Sequence, residues 1–253
     1  MSLIAVVYHS GYGHTQRMAQ AVADGADAQL VAIDADGNLP EGGWETLLAV
    51  KAIIMGSPTY MAGPSWQFKK FADASSKPWF NQSWKDKLFA GFTNSASING
   101  DKQVTLDYLF HLAMQHGGLW VGAGMMPANS KAATRNDVNW MGAFSGAMAQ
   151  SPSDASAAEM LPGDLETGRL LGQRVAAGAA RPGDRYIKPL WSRPMAIELN
   201  RIVSTPMAQT LTIRSHALVV DGTAAEGGDA TGPNPHDLYD AALGSCKALT
   251  VLW

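Results

Sequence analysis

One cysteine, Cys246, stands in 253 residues. It excludes any disulfide within the chain and makes a reducing compartment the simplest setting, so a cytoplasmic protein is expected. The formal net charge is −3, with no long run of Lys or Arg, which leaves no cationic surplus to neutralise a phosphate backbone. Nucleic acid is therefore not the expected partner, and a small molecule is. The apolar start, Met1–Tyr8, lacks a basic leader and is far shorter than the roughly 20 residues of a bilayer span, so it reads as a buried strand. The histidines at positions 9, 14, 111, 116, 216 and 236 show no metal-ligand spacing. His111 and His116 would diverge by about 140° on one helix, and no metal site is expected. In Gly142-Ala143-Phe144-Ser145-Gly146 the serine stands one place too late for a G-x-S-x-G elbow, which excludes that class of hydrolase.

What is present is a core-forming composition, 46% hydrophobic, in a chain longer than one average domain. Leu3–Tyr8, Lys51–Gly56 and Leu88–Thr93 are short apolar runs rich in branched or aromatic residues, and they alternate with helix-like stretches. Gln29–Ile33 supplies a further strand and Gly118–Met125 a fifth. Helices are expected over His14–Gly25, Pro64–Ser75, Asp101–His116 and Asp164–Ala180, the last stopped by Arg181-Pro182-Gly183-Asp184. Such alternation predicts an α/β fold with a parallel sheet covered by helices. The polar, glycine-rich stretch Pro127–Gly163 reads as a lid or a subunit contact. Phe68 and Phe71, at helical spacing, read as core.

Three loops carry the chemistry. After the first strand come Ser10-Gly11-Tyr12-Gly13-His14-Thr15 and then a helix, so turn-forming glycines, hydroxyls and free helix N–H groups make a site for one phosphate. After the third strand comes Pro58-Thr59-Tyr60-Met61-Ala62-Gly63, and after the fourth Asn94-Ser95-Ala96-Ser97-Ile98-Asn99-Gly100. In an open parallel sheet such loops converge outside the carboxyl ends of the strands, where ligands bind. Asp34, about twenty residues after Gly13, keeps a dinucleotide in view, but Gln16 stands where the third glycine of G-x-G-x-x-G belongs. A mononucleotide fits that loop better.

Together Tyr8–Thr15, Gly56–Met61, Thr93–Gly100 and Gln115-His116-Gly117 resemble the WrbA-like NAD(P)H:quinone oxidoreductases and the related NADPH-dependent FMN reductases, over Met1–Ala180. The resemblance implies a flavodoxin-like, doubly wound, five-stranded parallel sheet. It also implies FMN, with its phosphate on Ser10–Thr15, its ring flanked by Thr59–Met61 and its pyrimidine edge facing Asn94–Asn99. Trp79 matches an aromatic beside the open flavin face, and Tyr12 a residue near the nicotinamide of NAD(P)H. The chain departs from the family where Gln115 replaces the first histidine of His-His-Gly and where Tyr60 replaces a common basic residue. The implied assembly is a homodimer or homotetramer, and the implied acceptor a quinone-like molecule.

Beyond position 181 the composition shifts, with a linker at 182–204 broken by Pro189 and Pro194 and a small incomplete α+β segment at 205–253, extended over Thr210–Val220. Gly227-Gly228, Gly232–Leu238 and Ala241–Cys246 resemble the first half of an OsmC-like peroxide-reducing domain. In that family a cysteine at the Cys246 position attacks peroxide and a second one resolves it; this chain has no second cysteine. A lone cysteine in an apolar helix reads first as packed core. Three functions follow as expectations: an FMN-dependent NAD(P)H oxidoreductase working by a ping-pong mechanism, a flavodoxin-like electron carrier, and a non-catalytic binding or scaffold protein that has lost its flavin affinity, with a peroxide-reducing fusion using Cys246 as a further alternative to the first. The mild charge disfavours the carrier, whose partners usually recognise a strongly acidic surface.

Overall fold

Branched and aromatic residues make the first strand, β1 (Ile4–His9), and all six of its residues are buried. A strand covered on both faces reads as a continuous apolar run, the mark of a parallel sheet between helices. The computed structural model describes residues 3–180, 197–213 and 215–251. The chain divides into two compact units, Met1–Arg181 and Pro182–Trp253.

In the first unit β1 leads into α1 (His14–Ala26), β2 (Gln29–Ile33), α2 (Gly43–Ala49), β3 (Ala52–Tyr60), β4 (Gly63–Pro64), α3 (Trp66–Ala74), α4 (Ser76–Phe80) and β5 (Leu88–Ser95). Then follow α5 (Lys102–Gln115), β6 (Leu119–Trp120), β7 (Ala147–Gln150) and α6 (Pro162–Ala179). The sheet order is β2-β1-β3-β5-β6, with β1, β3 and β5 in parallel register and β4 folded back antiparallel on β3. The parallel α/β architecture expected from the sequence is the one observed.

Each sheet face has its own core. Val6, Tyr8, Ile54 and Phe92 pack under α1 and α6, whose Met18, Val22, Leu171 and Val175 are buried. Val7, Ile53, Met55 and Phe89 pack under α3 and α5 with Phe68, Phe71, Trp84 and Leu109. Phe68 and Phe71 are thus core residues, and each such side chain contributes about 1.5–3 kcal/mol by leaving water.

Three expectations need correction. The fifth strand does not run through 118–125. β6 pairs only Leu119 and Trp120 with Leu88 and Phe89, and β7 then takes the same flank of β5, pairing Ala147–Gln150 with Phe92–Ser95. One strand position is therefore filled by two segments. Gly122 and Gly124 weaken pairing beyond Trp120, as glycine in a strand does. The stretch 127–163 is accordingly not a bare lid, because it supplies a sheet strand and buries Asn139, Ala143, Met148, Ser151 and Met160. The third helix also starts later than expected, at Trp66, because Ser65 caps it by accepting from the Phe68 N–H at 3.4 Å and Gly63–Pro64 belong to β4.

In the second unit β8 (Ile197–Arg201), β9 (Gln209–Ile213) and β10 (His216–Val220) form an antiparallel sheet in the order β10-β9-β8, followed by α7 (Pro235–Val251). The extended reading of Thr210–Val220 corresponds to β9 and β10. Asp221 closes the loop after β10 by accepting from Thr231 and from the Gly222 and Asp229 N–H groups, contacts led by Thr231 that hold its carboxyl below the ordinary value. Cys246 lies within the span of α7. Most of the expected linker, with Arg181-Pro182-Gly183-Asp184, Pro189 and Pro194, falls outside the described residues.

Candidate functional site

β1, β3 and β5 run parallel, so the segments that follow them, 10–15, 61–62 and 96–101, leave from one end of the sheet. In the first of these, Gly13 adopts φ 89°, a conformation natural to glycine, and its N–H donates to Ser10 Oγ at 3.1 Å. No side chain caps the 13-residue α1, which leaves its first N–H groups and its positive dipole end toward the loop. The His14 Nε2–H donates to the Ala155 carbonyl at 2.8 Å, tying the segment after β7 to this loop. Thr15 is buried and Tyr12 exposed.

The second loop is a tight reversal in which Met61 and Ala62 take φ 46° and 61°, strained for residues with a Cβ. It brings the Tyr60 hydroxyl onto the first loop. A Cβ on Gly11 would stand 2.7 Å from that oxygen, and Tyr12 meets the Tyr60 ring edge-on at 6.2 Å between centroids. Burial raises the Tyr60 pKa, so the hydroxyl stays protonated. Thr59 Oγ1 lies 2.8 Å from both Thr93 Oγ1 and Thr105 Oγ1, a buried hydroxyl cluster that joins β3, β5 and α5. The Thr59 hydroxyl is therefore committed to the interior, and this residue offers a ligand its backbone.

The third loop is fastened through its carbonyls. Ser95 O accepts from the Ser151 N–H (3.0 Å), Ala96 O from Gln150 Nε2 (2.7 Å), Ser97 O from Lys102 Nζ (2.6 Å) and Ile98 O from the same ammonium (2.7 Å). The Asn94 side-chain oxygen accepts from Ser151 Oγ at 2.9 Å. Among the described residues the N–H groups of Ala96, Ser97, Ile98 and Asn99 make no protein hydrogen bond, and all four residues are exposed. A loop whose acceptors are satisfied inward and whose donors are free suits an acceptor-rich heterocycle edge, as the first loop suits a phosphate; the donor set fits a flavin mononucleotide. Beside it opens a cavity of about 360 Å³ lined by Ile98, Asn99, Trp140, Met141 and Met148, among others.

Gln150 and Ser151 are themselves anchored. Asp164, 2% exposed near the start of α6, accepts from both terminal nitrogens of Arg135 at 2.9 and 2.7 Å and from the Gln150 N–H at 2.9 Å. The excursion between β6 and β7 is thus latched to α6 and, through Gln150, to the third loop.

Two expected residues do not join the loops within one chain. Trp79 lies on α4, which ends the descent from α3, and Gln115 ends α5, one residue before His116. His116 Nε2 is 2.9 Å from Ser75 Oγ, just ahead of α4, and the Gly117 carbonyl binds the Asp86 N–H below the start of β5. Both residues therefore sit at the amino ends of the strands, opposite the three loops. His116 is a core residue whose ring lies tilted 43° against Trp84 at 4.4 Å between centroids, and burial pushes its pKa down to about 4.

Sequence reasoning missed Lys102, Thr105, Gln150 and Ser151. Only Lys102 carried a signal. A lysine as first residue of a helix opposes the positive end of the dipole and calls for a special partner.

A family profile described as Flavodoxin matches residues 6–99. Among curated proteins, Flavodoxin FldP of Pseudomonas aeruginosa is 57% identical over 176 residues, 70% of this chain and 96% of that protein. An NAD(P)H dehydrogenase (quinone) of Geotalea uraniireducens is 31% identical over 204 residues, 70% of this chain and 98% of that protein. Among solved structures, the flavodoxin, WrbA-like protein of Agrobacterium tumefaciens aligns with a TM-score of 0.59 and 59% identity, covering 71% of this chain and 98% of that one.

Proposed function

The chain belongs to the flavodoxin family, whose cofactor is FMN, and from that membership we propose that it is an FMN-dependent oxidoreductase carrying electrons from NAD(P)H to a quinone-like acceptor. The observation that carries this reading is the third loop, with four carbonyls bound inward and four N–H groups that meet no acceptor among the described residues, set beside an uncapped helix start. In this reading the phosphate rests on Ser10, Gly11, Tyr12, Gly13, His14 and Thr15. Pro58, Thr59, Tyr60 and Met61 flank the ring, and Asn94, Ser95, Ala96, Ser97, Ile98 and Asn99 face its pyrimidine edge. FMN, when bound, supplies hydride acceptance and release, so the chain needs no nucleophile of its own.

What the chain contributes is binding, orientation and exclusion of water. The protonated Tyr60 hydroxyl keeps a neutral donor beside the phosphate loop. The cavity beside Ile98, with Trp140 and Met141, offers an apolar wall for a planar acceptor. Support for turnover also comes from the relative named NAD(P)H dehydrogenase (quinone), of which this chain covers 98%. A homodimer or homotetramer is part of the same proposal, supported by Phe80, 81% exposed next to half-exposed Trp79; sedimentation velocity reads it.

Steady-state kinetics with NADPH and a benzoquinone test the reading. Parallel double-reciprocal lines are expected for two half-reactions at one face, and intersecting lines contradict it. An electron carrier is the second reading, favoured by the 57% identical relative named Flavodoxin FldP. Bound flavin that ignores both nicotinamides yet accepts electrons from a reductase protein selects the carrier.

A further inference from the structure

Lys102 is completely buried, and its ammonium spends all three N–H donors on one loop: Ser97 O at 2.6 Å, Ile98 O at 2.7 Å and Ser95 Oγ at 3.0 Å. Two of these acceptors are carbonyls of peptide units whose N–H groups, those of Ile98 and Asn99, face the exposed side with no acceptor among the described residues. A cation bound to a peptide oxygen polarises that unit and strengthens its N–H as a donor. Desolvation lowers the Lys102 pKa to about 8, with Asp164 pulling it up and Arg135 pushing it down, so the ammonium is charged at pH 7.

We infer that Lys102 is a positioning residue that electrostatically favours reduced over oxidised FMN, acting through the Ser97–Ile98 and Ile98–Asn99 peptides. The inference rests on the FMN reading above and adds to it the direction in which this chain tunes the cofactor. A hydride, two electrons and one proton, delivered by NAD(P)H to oxidised FMN leaves one added negative charge on the pyrimidine edge. A buried cation two bonded groups behind that edge stabilises this charge, because water screens it little in the interior. Surface lysines, screened by water and salt, do not act this way.

The test is the two-electron midpoint potential of bound FMN at pH 7, with affinity for oxidised FMN measured in parallel, in the full chain and in Lys102→Met and Lys102→Arg. Wild type is expected to hold FMN at a potential above that of the free cofactor. Lys102→Met is expected to lose at least tenfold in the ratio of reduced to oxidised affinity, a fall of about 30 mV for a two-electron couple. Lys102→Arg, which keeps the charge, should recover most of that. An unchanged potential in Lys102→Met overturns the inference alone, as does an equal fall in both variants, which assigns Lys102 to loop shape only. If Lys102→Met does not fold, the wild-type value decides, since a potential below free FMN overturns the inference by itself. A wild-type protein that binds no FMN overturns the FMN reading, and the inference falls with it.

Discussion

At Gly13 the backbone sits at φ 89°, and a side chain there has to be forced into a region that costs L-residues roughly 1–2 kcal/mol. Gly13→Ala should lower stability by about that amount in urea unfolding and weaken FMN by about tenfold, because this turn also aims the first N–H groups of α1. His116 gives a prediction in pH. Ser75 Oγ gives its one proton to the Ala72 carbonyl at 2.6 Å, so it accepts from His116 Nε2–H, and the buried Nδ1 finds no partner among the described residues. The folded pKa, about 4, lies below the ordinary 6.5, so between those values the unfolded chain binds more protons. Stability from this group is complete above pH 6.5 and is lost as pH falls toward 4, by roughly 2 kcal/mol between pH 7 and pH 5. Denaturation midpoints of wild type and His116→Gln at both pH values check this; the variant should lose clearly less on acidification. At this scale the sequence was readable where residue type and position coincide, as in the glycine turn before α1 and in core Phe68 and Phe71. It was silent on Gln150 and Ser151, which matter only because a distant segment returns to pair with β5.

The two helices on one face of the sheet approach through reciprocal glycines. A Cβ on Gly25 of α1 would stand 1.9 Å from the Arg169 carbonyl of α6, and one on Gly172 of α6 would stand 2.1 Å from the Val22 carbonyl of α1. Neither carbonyl can yield without moving its helix. Gly172→Ala should therefore cost about 2–3 kcal/mol in chemical denaturation, the scale of overpacking in a tight interior, despite the better helix propensity of alanine. Strands and helices with strong periodicity were found close to their true limits, α1, α5 and α6 among them. The split fifth strand was not, because pairing of β7 with β5 spans more than fifty residues and leaves no local pattern. The placement of Trp79 and Gln115 was likewise invisible, since similarity in sequence does not say which end of a sheet a residue occupies within one chain.

The whole molecule consists of two units, and the three loops belong to Met1–Arg181. A fragment of residues 1–181 should fold and bind FMN with the affinity of the full chain; loss of binding in a folded fragment would show that the second unit contributes to the site. Fold class was legible at this scale because alternation of elements is a long-range pattern written in short segments, whereas the expectation of FMN came from the resemblance of the loops to a family. The most direct measurement of the central claim is to load the full chain with FMN, remove free flavin by gel filtration, and record the visible spectrum anaerobically before and after NADPH and then a benzoquinone. Flavin that co-elutes, bleaches with NADPH and recovers its colour with the quinone is the predicted result. Protein that elutes colourless contradicts the account.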